Sequence, residues 1–184
     1  MSAHIEVRSL DAPAIGVARG RLREILIDCV EHGASVGFLA PLAAADADAY
    51  WESVERAVAG GRRILLAAAE PDGQLAGTVQ LDVDTLPNQP HRATVSKLLV
   101  HTAARRRGVG EALIEGVERA ALREGRWLLT LDTATAEAAR IYVRMGWSLA
   151  GEIPDYAMNP NGSLTATAFY WKKLGAQPSE GSAR

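Results

Sequence analysis

The chain has 184 residues, 48% of them hydrophobic and 23% charged, the balance of one ordinary globular domain that buries a core without disulfide staples. A net charge of −2 speaks against nucleic acid and anionic membranes as partners, so any basic site must be local. The single cysteine, Cys29, excludes an internal disulfide framework and every multi-cysteine metal site, and His4, His32, His91 and His101 form no helical metal-ligand pair, so no metal is expected. The longest apolar run, Ile64 to Ala69, falls far short of the ~20 residues of a membrane span. The first residues offer no apolar stretch for a signal peptide, and the expected location is the cytoplasm.

Ile5 and Val7 alternate with Glu6 and Arg8, the pattern of a short strand with one wet face. From Ala12 to His32 the residues Leu22, Ile25, Leu26, Cys29 and Val30 recur at helical spacing, with Gly33 as a stop. Asp46 is placed to cap a second helix carrying Tyr50, Trp51, Val54 and Val58, which ends at Gly60 and Gly61. Ile64 to Glu70 and Leu75 to Asp82 form a hairpin around Pro71, Asp72 and Gly73. A loop from Leu86 to Arg92 leads to a strand from Ala93 to Val100. Gly108 opens a long helix with the stripe Leu113, Val117, Ala120 and Ala121, its acids early and its arginines late, and Gly125 closes it. Trp127 to Leu131 reads as a buried strand, and Thr135 to Met145 as a helix stopped by Gly146. Two more strands, Trp147 to Ile153 and Thr165 to Lys172, flank a loop with Pro154, Asn159, Pro160 and Gly162. Threading helices between strands in this order predicts a mixed α/β (α+β) layered domain over residues 1–174, with a polar tail over 175–184.

The chemistry concentrates between Ser96 and Leu113. A strand SKLLV is followed by Arg105, Arg106, Arg107, Gly108, Val109 and Gly110 entering a helix. Glycines permit a tight turn, and free N–H groups at a helix start meet an anion with help from the helix dipole. Three arginines add local positive potential. A dinucleotide fingerprint needs a glycine where Leu113 stands, and a nucleotide-triphosphate loop needs lysine and Ser or Thr where Glu111 and Ala112 stand.

What remains, Arg-x-x-Gly-x-Gly after an apolar strand, resembles the acyl-CoA-binding motif of the GNAT superfamily of N-acyltransferases. The strand ending Leu98, Leu99, Val100 and the later Ala138, Tyr142, Gly146 and Trp147 are similar to that family's pattern, and the match runs from Ile64 to Leu174. The loop GASVGF (Gly33 to Phe38), the run Leu131 to Thr133 and the ending from Gly151 to Leu174 resemble the tabtoxin-resistance acetyltransferase branch. Three places depart from the family: Thr135 replaces a common Asn, Thr102 the usual Pro, and Arg106 and Arg107 a Gly or Gln. The resemblance implies a mostly antiparallel mixed sheet with helices on both faces and a splayed central pair of parallel strands, one holding Leu98 to Val100 and the other Leu128 to Asp132. It further implies acetyl-CoA as cosubstrate, held by Leu98, Leu99, Val100, Arg105, Arg106, Arg107, Gly108, Val109, Gly110, Thr135 and Ala138, with Tyr142 protonating the departing sulfur. The implied reaction moves acetyl to the primary amine of a small amino-acid-like or toxin-like molecule by direct attack in a ternary complex.

Asp132, at the end of its strand, is the candidate to orient the amine or accept its proton, with Asp82 and Glu152 as rivals and a helix cap as the plainer role. Ser35, Val36, Gly37 and Phe38, with Trp51 and Tyr156, are the candidate walls of a narrow acceptor slot. Gly33 to Gly37 also spells Gly-x-Ser-x-Gly, but a long helix precedes it where a serine hydrolase needs a strand. Cys29 lies on an apolar stripe and reads as packing. A peptide or protein N-acetyltransferase, a serine hydrolase and a non-catalytic acyl-CoA sensor stay open as alternatives, as do monomer and homodimer.

Overall fold

The computed structural model describes residues 5–175, so the expected tail lies outside it from residue 176 on. Along the chain come β1 (Glu6–Leu10), α1 (Ala12–Glu31), α2 (Ala44–Ala59), β2 (Arg63–Ala69), β3 (Leu75–Asp82), β4 (Arg92–Val100), a short 3-10 turn (Thr102–Ala104), α3 (Val109–Arg123), β5 (Leu128–Thr133), α4 (Ala136–Arg144), β6 (Ser148–Met158) and β7 (Leu164–Lys173). The strands form one sheet in the order β1-β2-β3-β4-β5-β7-β6. Every neighbouring pair is antiparallel except β4 and β5.

The sheet is covered on both faces, which is why β2 reads as an unbroken apolar run. Leu66 and Ala68 pack toward α3, against Leu113, Val117 and Ala121. Leu65, Ala67 and Ala69 pack toward α1 and α2, against Leu22, Ile25, Leu26 and Trp51. A strand buried on both faces has no wet side to alternate with.

Local chemistry explains most boundaries. Asp11 caps α1, its carboxylate accepting the Ala14 N–H at 2.9 Å. Thr135 caps α4, its hydroxyl accepting the Ala138 N–H at 3.4 Å. Two expectations need correction. Asp46 does not cap α2: the helix starts at Ala44, three residues earlier than such a cap implies, after Ala43 and without a side-chain cap, and Asp46 sits inside the first turn, where a carboxylate still complements the helix dipole. Pro154 is not in the final loop, because β6 continues through it to Met158. That is possible because β6 is an edge strand, where a missing N–H costs no ladder bond, and the register shifts between Ile153 and Ala157.

Candidate active site

The two parallel strands part early. β4 and β5 pair only from Arg92, Ala93 and Thr94 to Leu128, Leu129 and Thr130. Beyond Thr94, β4 stays with β3 as far as Val100, while β5 stays with β7 as far as Thr133. A break in the β3–β4 register beside Ser96 coincides with Lys97 at φ 52°, a left-handed backbone that turns the strand away from its parallel neighbour. The split leaves two connected grooves.

The first is a cleft of about 490 Å³, lined by residues 34–39 of the loop between α1 and α2, Lys97 and Leu98 of β4, Asp132 of β5, Tyr142 of α4, and Met158 and Thr167. Its loop wall is strapped to the turn between β6 and β7: the Ala40 N–H donates to the Pro160 carbonyl at 2.9 Å, and the Ser35 hydroxyl to the Met158 carbonyl at 3.4 Å. Tyr142 is 5% exposed, its ring centroid 5.8 Å from that of Trp147 and 6.0 Å from that of Tyr170. Burial first, and the Asp132 charge second, push its phenol far above the ordinary tyrosine range, so the hydroxyl stays protonated. Asp132 is exposed at the cleft mouth and does not cap α4, since Thr135 does. Its rivals are occupied or elsewhere: Asp82 is bound to Arg63 at 3.0 Å, and Glu152 lies on β6 outside both grooves.

The second groove, of about 540 Å³, runs along the start of α3 past Leu98, Val100, Arg105, Arg106, Gly108, Val109 and Gly110 to Arg140 and Arg144 of α4. Gly108 adopts φ 82° and offers no side chain to the first-turn N–H groups of α3. Those donors face the groove beside several guanidinium groups, a fit for a polyanion such as a diphosphate. The turn leading in is anchored from α1. Asp28 accepts the Thr102 N–H at 2.8 Å and the Thr102 hydroxyl at 2.7 Å. Burial raises the Asp28 carboxyl, but these two bonds, with His101 and His32 alongside, outweigh it and hold the carboxyl below its ordinary value.

Ser35, Val36, Gly37, Phe38, Asp132, Tyr142, Thr135 and Ala138 therefore meet in the cleft, and Leu98, Val100, Arg105, Arg106, Gly108, Val109 and Gly110 in the adjoining groove. Four expected contacts do not form. Trp51 is fully buried between α1, α2 and the sheet, because a large ring at a helical core position is worth more inside than at a ligand wall. Tyr156 is exposed on β6 with its ring edge-on to Phe169, outside the cleft lining. The Leu99 side chain points into the core under α1, so only its backbone is available to a ligand. Arg107 turns away to pair with Glu70 at 2.6 Å. The structure adds Lys97, Thr167 and Arg140, which sequence reasoning passed over. A lysine inside an otherwise apolar strand end was the one visible signal among them.

Among the described residues no cluster of His, Cys, Asp or Glu could hold a metal ion, and no helix is long and apolar enough to cross a membrane. The fold recurs in solved acetyltransferases. A phosphinothricin acetyltransferase from Sinorhizobium meliloti, solved in complex with acetyl-CoA, superposes with a TM-score of 0.77 at 18% identity, over 98% of this chain and 95% of that one. A ribosomal-protein-alanine N-acetyltransferase from Brucella melitensis gives a TM-score of 0.75 at 20% identity, over 92% and 99%. The family model for the acetyltransferase (GNAT) family matches residues 21–147, a span that holds the split strands, the Arg105 to Gly110 turn and Tyr142, and the chain belongs to that family.

Proposed function

We propose that the protein transfers the acetyl group of acetyl-CoA to the primary amine of a small molecule, in a ternary complex and without a covalent enzyme intermediate. The carrying observation is the junction of the two grooves, which share Ala34, Leu98, Thr135 and Ala138. A thioester entering along the arginine-lined groove presents its carbonyl at that junction, facing a cleft that holds a carboxylate and a protonated phenol.

Each group has a matching task. The start of α3 and Arg105 and Arg106 hold the diphosphate. The β4 edge freed beyond Thr94 leaves backbone groups for the amides of the pantetheine arm. Asp132 attracts the acceptor ammonium and takes its proton directly or through water. Tyr142 donates to the leaving sulfur. With the Tyr142 phenol held far above the ordinary tyrosine range and a thiol at ~8.5, complete proton transfer runs uphill, so Tyr142 assists by hydrogen-bonding the developing thiolate. The strapped 34–39 loop narrows the cleft and favours a small acceptor over a polypeptide. A hydrolase finds no support: the Ser35 hydroxyl donates to a backbone carbonyl, and among the described residues no histidine is bonded to it.

The test is CoA release from acetyl-CoA over a panel of small amines, amino acids and peptides. Release with small amines exceeding that with peptides is expected. Tight acetyl-CoA binding with no CoA released by any amine identifies a sensor instead.

A further inference from the structure

Lys97 has no task in the acetyl transfer as described. Its aliphatic stem is half-buried in the cleft, and its ammonium reaches the loop on the far side, so that a Cβ built on Gly37 would sit 3.5 Å from Nζ. Among the described residues no carboxylate lies within ion-pair distance of Nζ, and no acceptor within hydrogen-bond distance. The neighbouring cation Arg63 is already ion-paired with Asp82 at 3.0 Å and bonded to Gln80 at 3.1 Å, with only its Nε left without a partner. Desolvation lowers the Lys97 pKa and Arg63 adds to that, while Asp132, too distant for contact, partly restores it. An ammonium partly shielded from water and without an ion-pair partner gains from an incoming anion.

A second, independent observation lies in the same cleft. Thr167 on β7 is 2% exposed, lines the cleft, and its hydroxyl has no hydrogen-bond partner. Buried hydroxyls are nearly always paired, and this one, on a residue of the cleft wall, is left without a partner. Neither residue lines the arginine-lined groove that suits the diphosphate.

We propose that Lys97 and Thr167 form a subsite for a carboxylate on the acceptor, so that the substrate is a free amino acid or close analogue, its amine at Asp132 and Tyr142 and its carboxylate on Lys97. This rests on the acetyltransferase function proposed above and narrows it. A polypeptide N-terminus carries an amide where a free amino acid carries its α-carboxylate, so the same subsite separates the two acceptor classes. Lys97 acts here as a specificity residue that touches the acceptor and takes no part in proton transfer.

The experiment compares matched acceptors that differ only in the carboxylate: an amino acid, its amide and its decarboxylated amine, with CoA release as readout. Wild type prefers the acid by about tenfold or more in kcat/KM, chiefly through KM. Lys97→Met cuts that preference to about threefold or less while leaving KM for acetyl-CoA unchanged, and Lys97→Arg restores part of it. Thr167→Val, nearly isosteric, raises KM for the acid by a few fold. Equal use of acid and amide by wild type, or a preference that survives Lys97→Met, overturns the subsite and leaves the acetyltransferase function standing. Failure of every amine to release CoA overturns both.

Discussion

Single side chains set the chemistry by what burial does to their protons. Burial, with the Asp132 charge second, holds the Tyr142 phenol above the ordinary tyrosine range, which suits the donor role proposed for it. Tyr142→Phe keeps the ring beside Trp147 and Tyr170 and removes only the hydroxyl. Turnover is expected to fall by about tenfold with acetyl-CoA affinity nearly intact, checked by steady-state kinetics beside calorimetry. Cys29 shows the opposite use of burial. Its thiol, pushed up to about 11 by desolvation, donates weakly to the Val100 carbonyl at 3.5 Å, and it fills the core under β4. The expectation of a packing cysteine was legible from its helical stripe. The importance of Lys97 was not, because a strand lysine is exposed or lodged in a cleft according to what crosses above it.

At the scale of elements, the departure at Thr102 acquires a physical role. Where the family commonly has proline, Thr102 supplies two donors that Asp28 of α1 accepts, locking the turn that aims Arg105 and Gly108 at the groove. Asp28→Ala is expected to cost about 1–3 kcal/mol at neutral pH, measured by urea denaturation, because two buried donors lose a charged partner. The carboxyl's folded pKa lies below its unfolded one, so its contribution is present above the unfolded value of ~3.9 and is lost as pH falls through the lowered folded value. The gap between wild type and variant therefore narrows in acid. The boundaries of α1, α3 and α4 were readable because caps and stops are local signals. The start of α2 and the reach of β6 were misread because neither is local. The start of α2 has no side-chain cap to announce it, and an edge position alone makes Pro154 acceptable in a strand.

For the whole molecule, cofactor binding and stability are coupled, since a ligand that binds only the folded state stabilises it. Acetyl-CoA at about a hundredfold over its Kd adds ~2.7 kcal/mol, a rise of roughly 5–10 °C in Tm for a domain of this size. Gly108→Glu is expected to remove that rise in a thermal melt. Its own Tm drops by only a few degrees, because a Cβ at Gly108 meets open space and the cost is that of a side chain at φ 82°. A cooperative melt that still shifts with acetyl-CoA would move the diphosphate away from the start of α3.

The sequence by itself determined the order of strands and helices and the glycine-opened, arginine-flanked helix start at Arg105 to Gly110, since both depend on residues close together in the chain. Only the tertiary structure decided which side chains share the cleft. Trp51 and Tyr156 carry the right chemistry for a pocket wall, yet one is sealed in the core and the other faces outward on an edge strand. Lys97 and Thr167, 70 residues apart by their numbers, line one cleft only because β4 and β5 separate after Thr94 and the loop after α1 folds across the gap. Contacts between distant segments depend on strand order, register and the point at which a sheet splits, and no local pattern of residues encodes those.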